Sequence, residues 1–229
     1  WNQGDWRFYK YYREWQWKTY LMAKDICNEV KIDVLHQLNM IGFREPGYLW
    51  KLSKENGVPF VWGPIGGLKQ FPNAYLEGAG LKMKLFNRLK NFLNVWQLKH
   101  DKRVNVAFKS AKLLVSSIPD SYRAIKKYKG LVSIVIPETG CSLSEDIPTV
   151  RFDEEYLHVM WVGKFDFRKQ LPLALWTIAT VANPHVILDV YGSGSEVQVS
   201  EAQRIAKALG IEGMAVWHGN QPNDVVIEA

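Results

Sequence analysis

The stretch LHVMWVGKFDFRKQLPLALWTIATVA, residues 157–182, decides the fold class of this chain. Its first seven residues form an apolar run that predicts a buried β-strand, and LPLALWTIATVA predicts a helix. The order repeats in the strand HVILDVYG, the helix EVQVSEAQRIAKALG, which Gly210 ends, and the strand MAVWHG. Strands that alternate with helices at this spacing are parallel and are joined by crossover helices. The pattern therefore predicts an α/β layered domain, and the closing DVVIEA falls inside its next predicted helix.

The preceding part of the chain shows the same alternation. An aromatic segment from Trp6 to about Val30 predicts a helix, which we expect to be mostly buried. Predicted strands are IDVLHQL, VPFVW (broken by GPIGG), AKLLVSS and LVSIVIP, and predicted helices include YLWKLSKEN and SYRAIKKYK. The polar, acidic stretch TGCSLSEDIPTVRFDEEY is typical of an interdomain linker. We therefore expect a first domain with its linker over residues 1–150 and the start of a second over residues 151–229.

The positive charge is concentrated in residues 81–103, LKMKLFNRLKNFLNVWQLKHDKR. This segment holds seven Lys or Arg and one Asp, so its excess equals the net charge of +6 of the whole chain. Leucine, phenylalanine and tryptophan recur in it at steps of three and four, which predicts an amphipathic helix with a basic polar face. Either the apolar stripe packs on its own domain, or the helix lies on an anionic membrane surface. We expect no nucleic-acid partner, because no zinc finger or aromatic-interleaved basic sheet motif accompanies the patch.

The expected localisation is cytoplasmic, with a possible peripheral position on the inner face of the membrane. No apolar run of about 18 residues is present, and the N-terminus is not built like a signal peptide. Cys27 and Cys141 lie far apart without partner spacing, which fits reduced thiols better than a disulfide or a zinc site.

The loops that follow the strands of the second domain carry candidate binding residues. The loop after LHVMWVG offers Gly163 for close backbone approach and Lys164, Arg168 and Lys169 as cations. Such cations can neutralise a diphosphate leaving group. The next strand ends at Gly192 and Gly194, where absent side chains would let a nucleotide approach. The alternatives are a surface loop with scattered lysines and a plain tight turn.

These segments together resemble the family 4 retaining glycosyltransferases. VGKFDFRKQLPLAL is similar to the segment that opens their donor domain, LDVYGSGSE and VWHGN to the next two strand ends, and IVIPETGCS to the segment before the linker. The stretch DVLHQLN…FREPGYLW…VPFVWGPIGGLKQFP is similar to a subgroup with a GPxGG loop. The resemblance covers nearly the whole chain, and the order of its loose motifs makes it specific.

The resemblance implies the GT-B fold, with two Rossmann-like domains and parallel sheets, both incomplete in this chain. It implies that a UDP- or GDP-sugar donor is held mainly by the second domain. The resemblance further implies transfer of the sugar, with retention of configuration and without a required metal or a cofactor, to an acceptor that we expect to be a saccharide or lipid-linked. The basic helix of residues 81–103 favours an acceptor at a membrane surface, such as a lipid-linked saccharide for capsular or cell-envelope polysaccharide synthesis.

The resemblance also assigns roles to individual residues. Lys164 and Lys169 match the basic pair that holds the donor diphosphate, although the first is more often arginine, and a lysine lacks the bidentate fork. His36 matches a histidine near the donor sugar, with a purely structural role as the alternative. The remaining expected cleft or acceptor residues are Asn39, Arg44, Glu45, Gly66, Gly67, Glu138, Thr139 and Gly140. Arg44 and Glu45 could instead form a local ion pair, and Glu138 stands where the family has asparagine.

Two parts of the family's active site are not in this sequence. The first strand with its glycine-rich loop would precede Trp1, and the E-x7-E segment would follow Ala229. We therefore expect the full-length parent to be the enzyme and this chain alone to be inactive. A GT-B sugar-nucleotide epimerase and a noncatalytic sugar-binding or scaffold protein remain alternatives.

Overall fold

The computed structural model describes residues 6–38, 40–76, 80–140 and 155–228. The chain divides into two compact units, the first containing the described residues up to 140 and the second those from 155 onward. The domain boundary expected at residue 150 lies outside the described residues.

The first unit is built on a four-stranded parallel sheet with the order β1-β2-β3-β4. Its strands are β1 (Leu35–Gln37), β2 (Phe60–Ile65), β3 (Leu113–Ser116) and β4 (Ile134–Val135). Its helices are α1 (Trp6–Glu29), α2 (Leu49–Asn56), α3 (Leu81–His100), α4 (Lys102–Ser110) and α5 (Pro119–Lys129), with a 3-10 turn at Asn73–Leu76. The parallel order confirms the predicted α/β pattern in this unit.

The core of the first unit is aromatic and lies between the sheet and its helices. Trp62 of β2 packs against Phe108 of α4 with ring centroids 4.6 Å apart. Phe43, Phe60 and Leu52 are fully buried around them. Large apolar side chains that leave water together supply most of the free energy that holds the helices on the sheet.

Strand β2 is longer than the sequence predicted, because it runs through Gly63 and Pro64 to Ile65. A Cβ at Gly63 would stand 2.2 Å from the carbonyl oxygen of Val115 on β3, and the glycine has a φ of +139°. Only glycine can follow this path so close to a neighbouring strand. The predicted break at GPIGG was therefore wrong for its first three residues.

Helix α1 is where predicted, but the expectation that it is mostly buried was wrong. Tyr20 and Gln16 are its buried side chains among the described residues, whereas Trp15 is 51% and Met22 is 66% exposed. The helix packs along one side only, mainly on α2, where Trp17 meets the ring of Tyr48 edge-on at 5.3 Å.

The basic segment forms two helices rather than one. The Asp101 carboxylate accepts hydrogen bonds from the backbone N–H groups of Arg103 and Val104, at 2.9 and 3.1 Å. An aspartate in this position is a typical N-cap, so it begins α4 and separates it from α3.

The second unit contains a three-stranded parallel sheet with the order β5-β6-β7. Its strands are β5 (Leu157–Lys164), β6 (Val186–Ser193) and β7 (Ala215–Gly219). Its helices are α6 (Leu171–Val181), α7 (Glu196–Ala208) and α8 (Asn223–Glu228), with 3-10 turns at Phe167–Lys169 and Glu212–Met214. Ser195 begins α7 with a capping box to Gln198, and Gly210 follows its end with a φ of +70°.

The core of this unit lies between β6 and its helices, where Leu175, Leu188 and Val190 are buried. Strand β5 was predicted to be buried, and this was wrong, since Met160 and Val162 are exposed. The reason is its position: β5 is the outer strand and, among the described strands, pairs only with β6.

Candidate functional site

The carboxyl ends of β5 and β6 form one edge of the second sheet, and a depression of about 500 Å³ opens there. Gly163 pairs with Gly192 and Lys164 with Ser193 across the two strands. Four of the predicted donor-site residues line this depression, namely Gly163, Lys164, Lys169 and Gly192. Gly194 is not among the lining residues. The side chain of Arg168 lies outside the described part of the chain.

The loop after β5 is held by a set of local hydrogen bonds. The N–H of Phe165 donates to the carbonyl oxygen of Ser193 at 2.9 Å, and the N–H of Lys169 donates to that of Asp166 at 3.0 Å. The indole N–H of Trp161 donates to the carbonyl oxygen of Lys169 at 3.2 Å. The turn from β5 into α6 is thus fixed at both ends, and it holds the backbone of Lys169 beside the strand that carries Lys164.

The glycines at this edge have an intramolecular reason to be glycine. A Cβ at Gly192 would stand 1.7 Å from the carbonyl oxygen of Gly163, and the φ of Gly192 is +149°. A Cβ at Gly194 would stand 2.8 Å from the Cβ of Phe165. The sequence suggested room for a nucleotide as the reason, whereas the structure shows close contact between the strands and the loop.

The depression is rich in groups that can bind an anion. Lys164 and Lys169 are exposed, and neither forms an ion pair with a described residue. Asn220 and Gln221, which follow β7, line the same depression and offer amide groups. The two lysines can contribute positive charge to a diphosphate, although Asp166, which lines the same depression, offsets part of that charge, and the amides can hydrogen-bond a polar ligand.

A polar cluster behind the depression was missed by sequence reasoning. Asp189, in the middle of β6, accepts hydrogen bonds from Nδ1 of His158 and Nε2 of His218, both at 2.6 Å. Burial acts to raise the pKa of Asp189, but the hydrogen bonds from His218 and His158 outweigh it and leave that pKa below its ordinary value. The available signal was a carboxylate inside the otherwise apolar run VILDV, because a buried carboxylate requires partners.

The cluster contacts the depression through Tyr191. The rings of Tyr191 and His218 are stacked, with centroids 4.2 Å apart and planes inclined by 2°. The amide of Gln221 donates to the carbonyl oxygen of His218 at 2.8 Å. Tyr191 and Gln221 both line the depression, so Asp189 helps to position two of its walls through His218.

In the first unit, His36 lies on β1, and the loop with Gly66 and Gly67 follows the paired strand β2. The Nε2–H of His36 donates to the carbonyl oxygen of Gly63 at 2.8 Å. The loop after β1 reaches the loop after β2 through a bridge between Gly42 and Gly66, and the N–H of Gly66 donates to Ile41 at 2.7 Å. Gly67 continues this loop with a φ of +73°. The imidazole of His36 is exposed and fixed, which fits either a structural or a sugar-contacting role.

Arg44 and Glu45 do not form the local ion pair that the sequence left open. The Glu45 side chain is 2% exposed and accepts hydrogen bonds from Arg13, at 2.6 to 3.0 Å, and from Arg103, at 3.3 Å. The Nε–H of Arg44 donates instead to the side-chain oxygen of Gln97 at 2.7 Å. Glu45 thus joins α1, α4 and the loop after β1.

The remaining predicted residues are less informative. Asn39 lies outside the described residues. Glu138, Thr139 and Gly140 are exposed in the segment that follows β4. Within the described ranges, no group of three or more His, Cys, Asp or Glu could hold a metal ion.

The fold with this parallel topology is that of the GT-B glycosyltransferases. The lipopolysaccharide outer core galactosyltransferase WaaB, in its apo form, is similar with a TM-score of 0.55 and 16% identity, over 93% of this chain and 50% of that protein. Anabaena Alr3699/HepE in complex with UDP is similar with a TM-score of 0.56 and 16% identity, over 90% of this chain and 51% of that protein. The complex of HepE with UDP and glucose is similar with a TM-score of 0.51 and 17% identity, over 88% of this chain and 52% of that protein.

The chain therefore spans about half the length of these structures. No protein-family model and no curated protein matches it. The predicted α/β GT-B fold, with Rossmann-like parallel sheets, is confirmed by the sheet topology and by the structural neighbours.

Proposed function

We propose that the protein is a family 4 glycosyltransferase that transfers a sugar from a nucleotide-diphosphate donor to a saccharide or lipid-linked acceptor, with retention of configuration. The observation that carries the proposal is the depression at the end of β5 and β6. It brings Lys164 and Lys169 together with Gly163 and Gly192, which also line the depression. The proposed setting is capsular or cell-envelope polysaccharide synthesis.

The two lysines supply what such a transfer requires. Negative charge grows on the diphosphate as its bond to the sugar breaks, and cations fixed beforehand lower the energy of that state. Since neither ammonium group forms an ion pair with a described residue, both are available to the diphosphate oxygens. A lysine acts as a point charge rather than a bidentate fork, so two lysines provide charge without fixing one orientation.

The donor is proposed to be a UDP- or GDP-sugar, and no metal or other cofactor is required in this proposal. HepE, which has the same fold, is recorded with UDP and with UDP and glucose, and this supports a nucleotide-sugar ligand. Asn220, Gln221 and Tyr191 line the same depression and are suited to contact the nucleoside. His36 is proposed to contact the donor sugar, on the basis of the resemblance alone.

The test is the release of nucleoside diphosphate by the full-length protein, measured with and without a saccharide acceptor. Acceptor-dependent release that drops in Lys169→Ala, with Lys207→Ala as the control, is the expected result. Lys207 is an exposed lysine of α7 outside the depression. Interconversion of the donor sugar without acceptor would indicate an epimerase. Binding without turnover would indicate a sugar-binding or scaffold protein.

We further propose that α3 attaches the protein to an anionic membrane surface. The inward face of this helix is formed by Asn87, Asn94 and Leu98, whereas the apolar stripe predicted from the sequence faces outward. Its exposed members are Leu81, Leu85, Leu89, Phe92, Leu93 and Trp96. The alternative in which this stripe packs on its own domain is thus not what the described residues show.

The charge of α3 favours a lipid surface over another apolar partner. Lys82, Arg88 and Lys90 are exposed beside the outward stripe, and anionic lipid attracts each such cation. No helix in the described part of the chain is long and apolar enough to cross a membrane. The helix would then lie in the plane of the interface, with the apolar side chains among the acyl chains.

Flotation with liposomes tests this attachment. The protein should float with vesicles that contain anionic lipid and remain behind with neutral vesicles, and Leu89→Ser with Phe92→Ser should abolish flotation. Trp15→Ser, on the exposed side of α1, is the matched control. If the protein binds neither kind of vesicle, the membrane proposal is wrong, and the donor-site proposal is unaffected.

A further inference from the structure

A second cavity, of about 650 Å³, lies in the first unit. It opens between the first turns of α1, the end of α3 and the loop after β1, and its walls include Tyr9, Arg44 and Gln97. The loop that carries Arg44 leaves β1 at its carboxyl end. This is the edge at which open α/β sheets bind ligands.

The carboxylates in this cavity already have partners. Glu45 is held by Arg13 and Arg103, and the Asp101 carboxylate accepts the backbone N–H groups that begin α4. The guanidinium groups of Arg13 and Arg103 therefore have a structural role. They make the wall of the cavity rigid, because a buried carboxylate fixed by two arginines has little freedom to move.

Arg44 is different, since its guanidinium has no carboxylate partner among the described residues. Its Nε–H donates to the neutral side-chain oxygen of Gln97, and its cation lies 5.2 Å from the centroid of the Phe43 ring. Lys10 and Glu14, which also line the cavity, are exposed and have opposite charges. The half-buried guanidinium of Arg44 thus has no described carboxylate in direct contact, and it faces a space large enough for a saccharide unit.

We propose that Arg44 binds the carboxylate or phosphate group of an anionic saccharide acceptor in this cavity. Gln97 fixes one edge of the guanidinium, and the remaining nitrogens form the planar fork that matches an oxyanion. The partly exposed ring of Tyr9 offers an apolar face to the sugar. That the bound saccharide is an acceptor rests on the proposed function. The binding of the anion itself can be measured without turnover.

The experiment is an NMR titration of the protein, observed at the arginine Nε–H signals, with the Arg44 signal assigned through Arg44→Lys. The probes are glucuronic acid, glucose 6-phosphate and neutral glucose. Saturable shifts of the Arg44 signal with either anion and not with glucose are expected, and the better anion identifies a carboxylate or a phosphate ligand. Arg44→Gln lacks the Arg44 signal, so its binding is followed at the Nε–H of Arg13 in the same cavity, and it should be weaker at least about tenfold because hydrogen bonds to a charged group are removed.

Arg123→Gln is the matched control, because Arg123 is exposed on α5 and pairs with Asp120 outside the cavity. It should bind the anions as the original protein does. Thermal unfolding of Arg44→Gln checks that the variant is folded, and Arg44→Lys, which keeps the charge and loses the fork, should show intermediate affinity. Equal binding of glucose and the anions, or no saturable binding of either anion, overturns the inference.

UDP titrated into the same sample separates the two proposals. If UDP binds equally to the original protein and to Arg44→Gln while the anions do not bind, the donor-site proposal is supported and the anionic-acceptor proposal is wrong. Anion binding without UDP binding would retain the cavity as an oxyanion site and remove the transferase function.

Discussion

Gly192→Ala should damage the second unit more than any other glycine-to-alanine change tested there. The added Cβ would stand 1.7 Å from the carbonyl oxygen of Gly163. Ordinary contact requires about 3.5 Å, so β5 and β6 would have to separate by more than about 1 Å at this point. Overpacking of this kind costs about 1 to 3 kcal/mol. The φ of +149° is nearly restricted to glycine and adds about 1 to 3 kcal/mol of strain.

The expected loss of unfolding free energy is therefore about 2 to 6 kcal/mol, measured by urea denaturation. Two other glycines of this unit serve as controls. Gly210 has a φ of +70° with no atom near a built Cβ, so Gly210→Ala should cost about 1 to 2 kcal/mol from the left-handed backbone alone. Gly213 has neither constraint, and Gly213→Ala should be near neutral. A loss for Gly192→Ala no larger than that for Gly210→Ala would refute the close contact between the strands.

Asp189→Asn should lower the unfolding free energy by about 1 to 3 kcal/mol in urea denaturation, because the amide cannot accept from both histidines. Since folding lowers the pKa of Asp189, its contribution is present above the ordinary pKa and is lost as the pH falls through the lowered value. Acid titration below about pH 5 should therefore destabilise the original protein more than Asp189→Asn, and parallel curves would contradict this. Glu45→Gln should cost about 1 to 3 kcal/mol, since the charge-assisted hydrogen bonds from Arg13 and Arg103 are lost. Glu138→Gln, at an exposed carboxylate, should leave the unfolding free energy unchanged in urea denaturation.

Local sequence patterns were sufficient for most of the secondary structure. The helix that ends before Gly210 and the strand VILDVYG lie where the periodicity places them, because caps, glycine and apolar runs act over a few neighbouring residues. Parallel pairing then follows from the alternation, and it brings Lys164 and Gly192 to one edge. Local sequence patterns were therefore sufficient to predict that these residues lie at the same edge of the sheet.

Burial and pairing could not be predicted in the same way. Periodicity shows that Leu85, Leu89 and Phe92 share a face of α3, but it cannot show whether that face meets a core or solvent. The partners of Glu45 come from Arg13 and Arg103, 32 and 58 residues away in sequence, so no local pattern reports them. The same holds for the histidines of Asp189, which reach it from neighbouring strands.

Calorimetric titration of the full-length protein with nucleoside diphosphates tests the donor site most directly. We expect UDP or GDP to bind, and Lys164→Ala and Lys169→Ala each to weaken that binding by about 1 to 3 kcal/mol while Lys207→Ala does not. A folded protein that binds none of them, or lysine variants that bind as the original does, would contradict the assignment of this depression to a nucleotide-sugar donor.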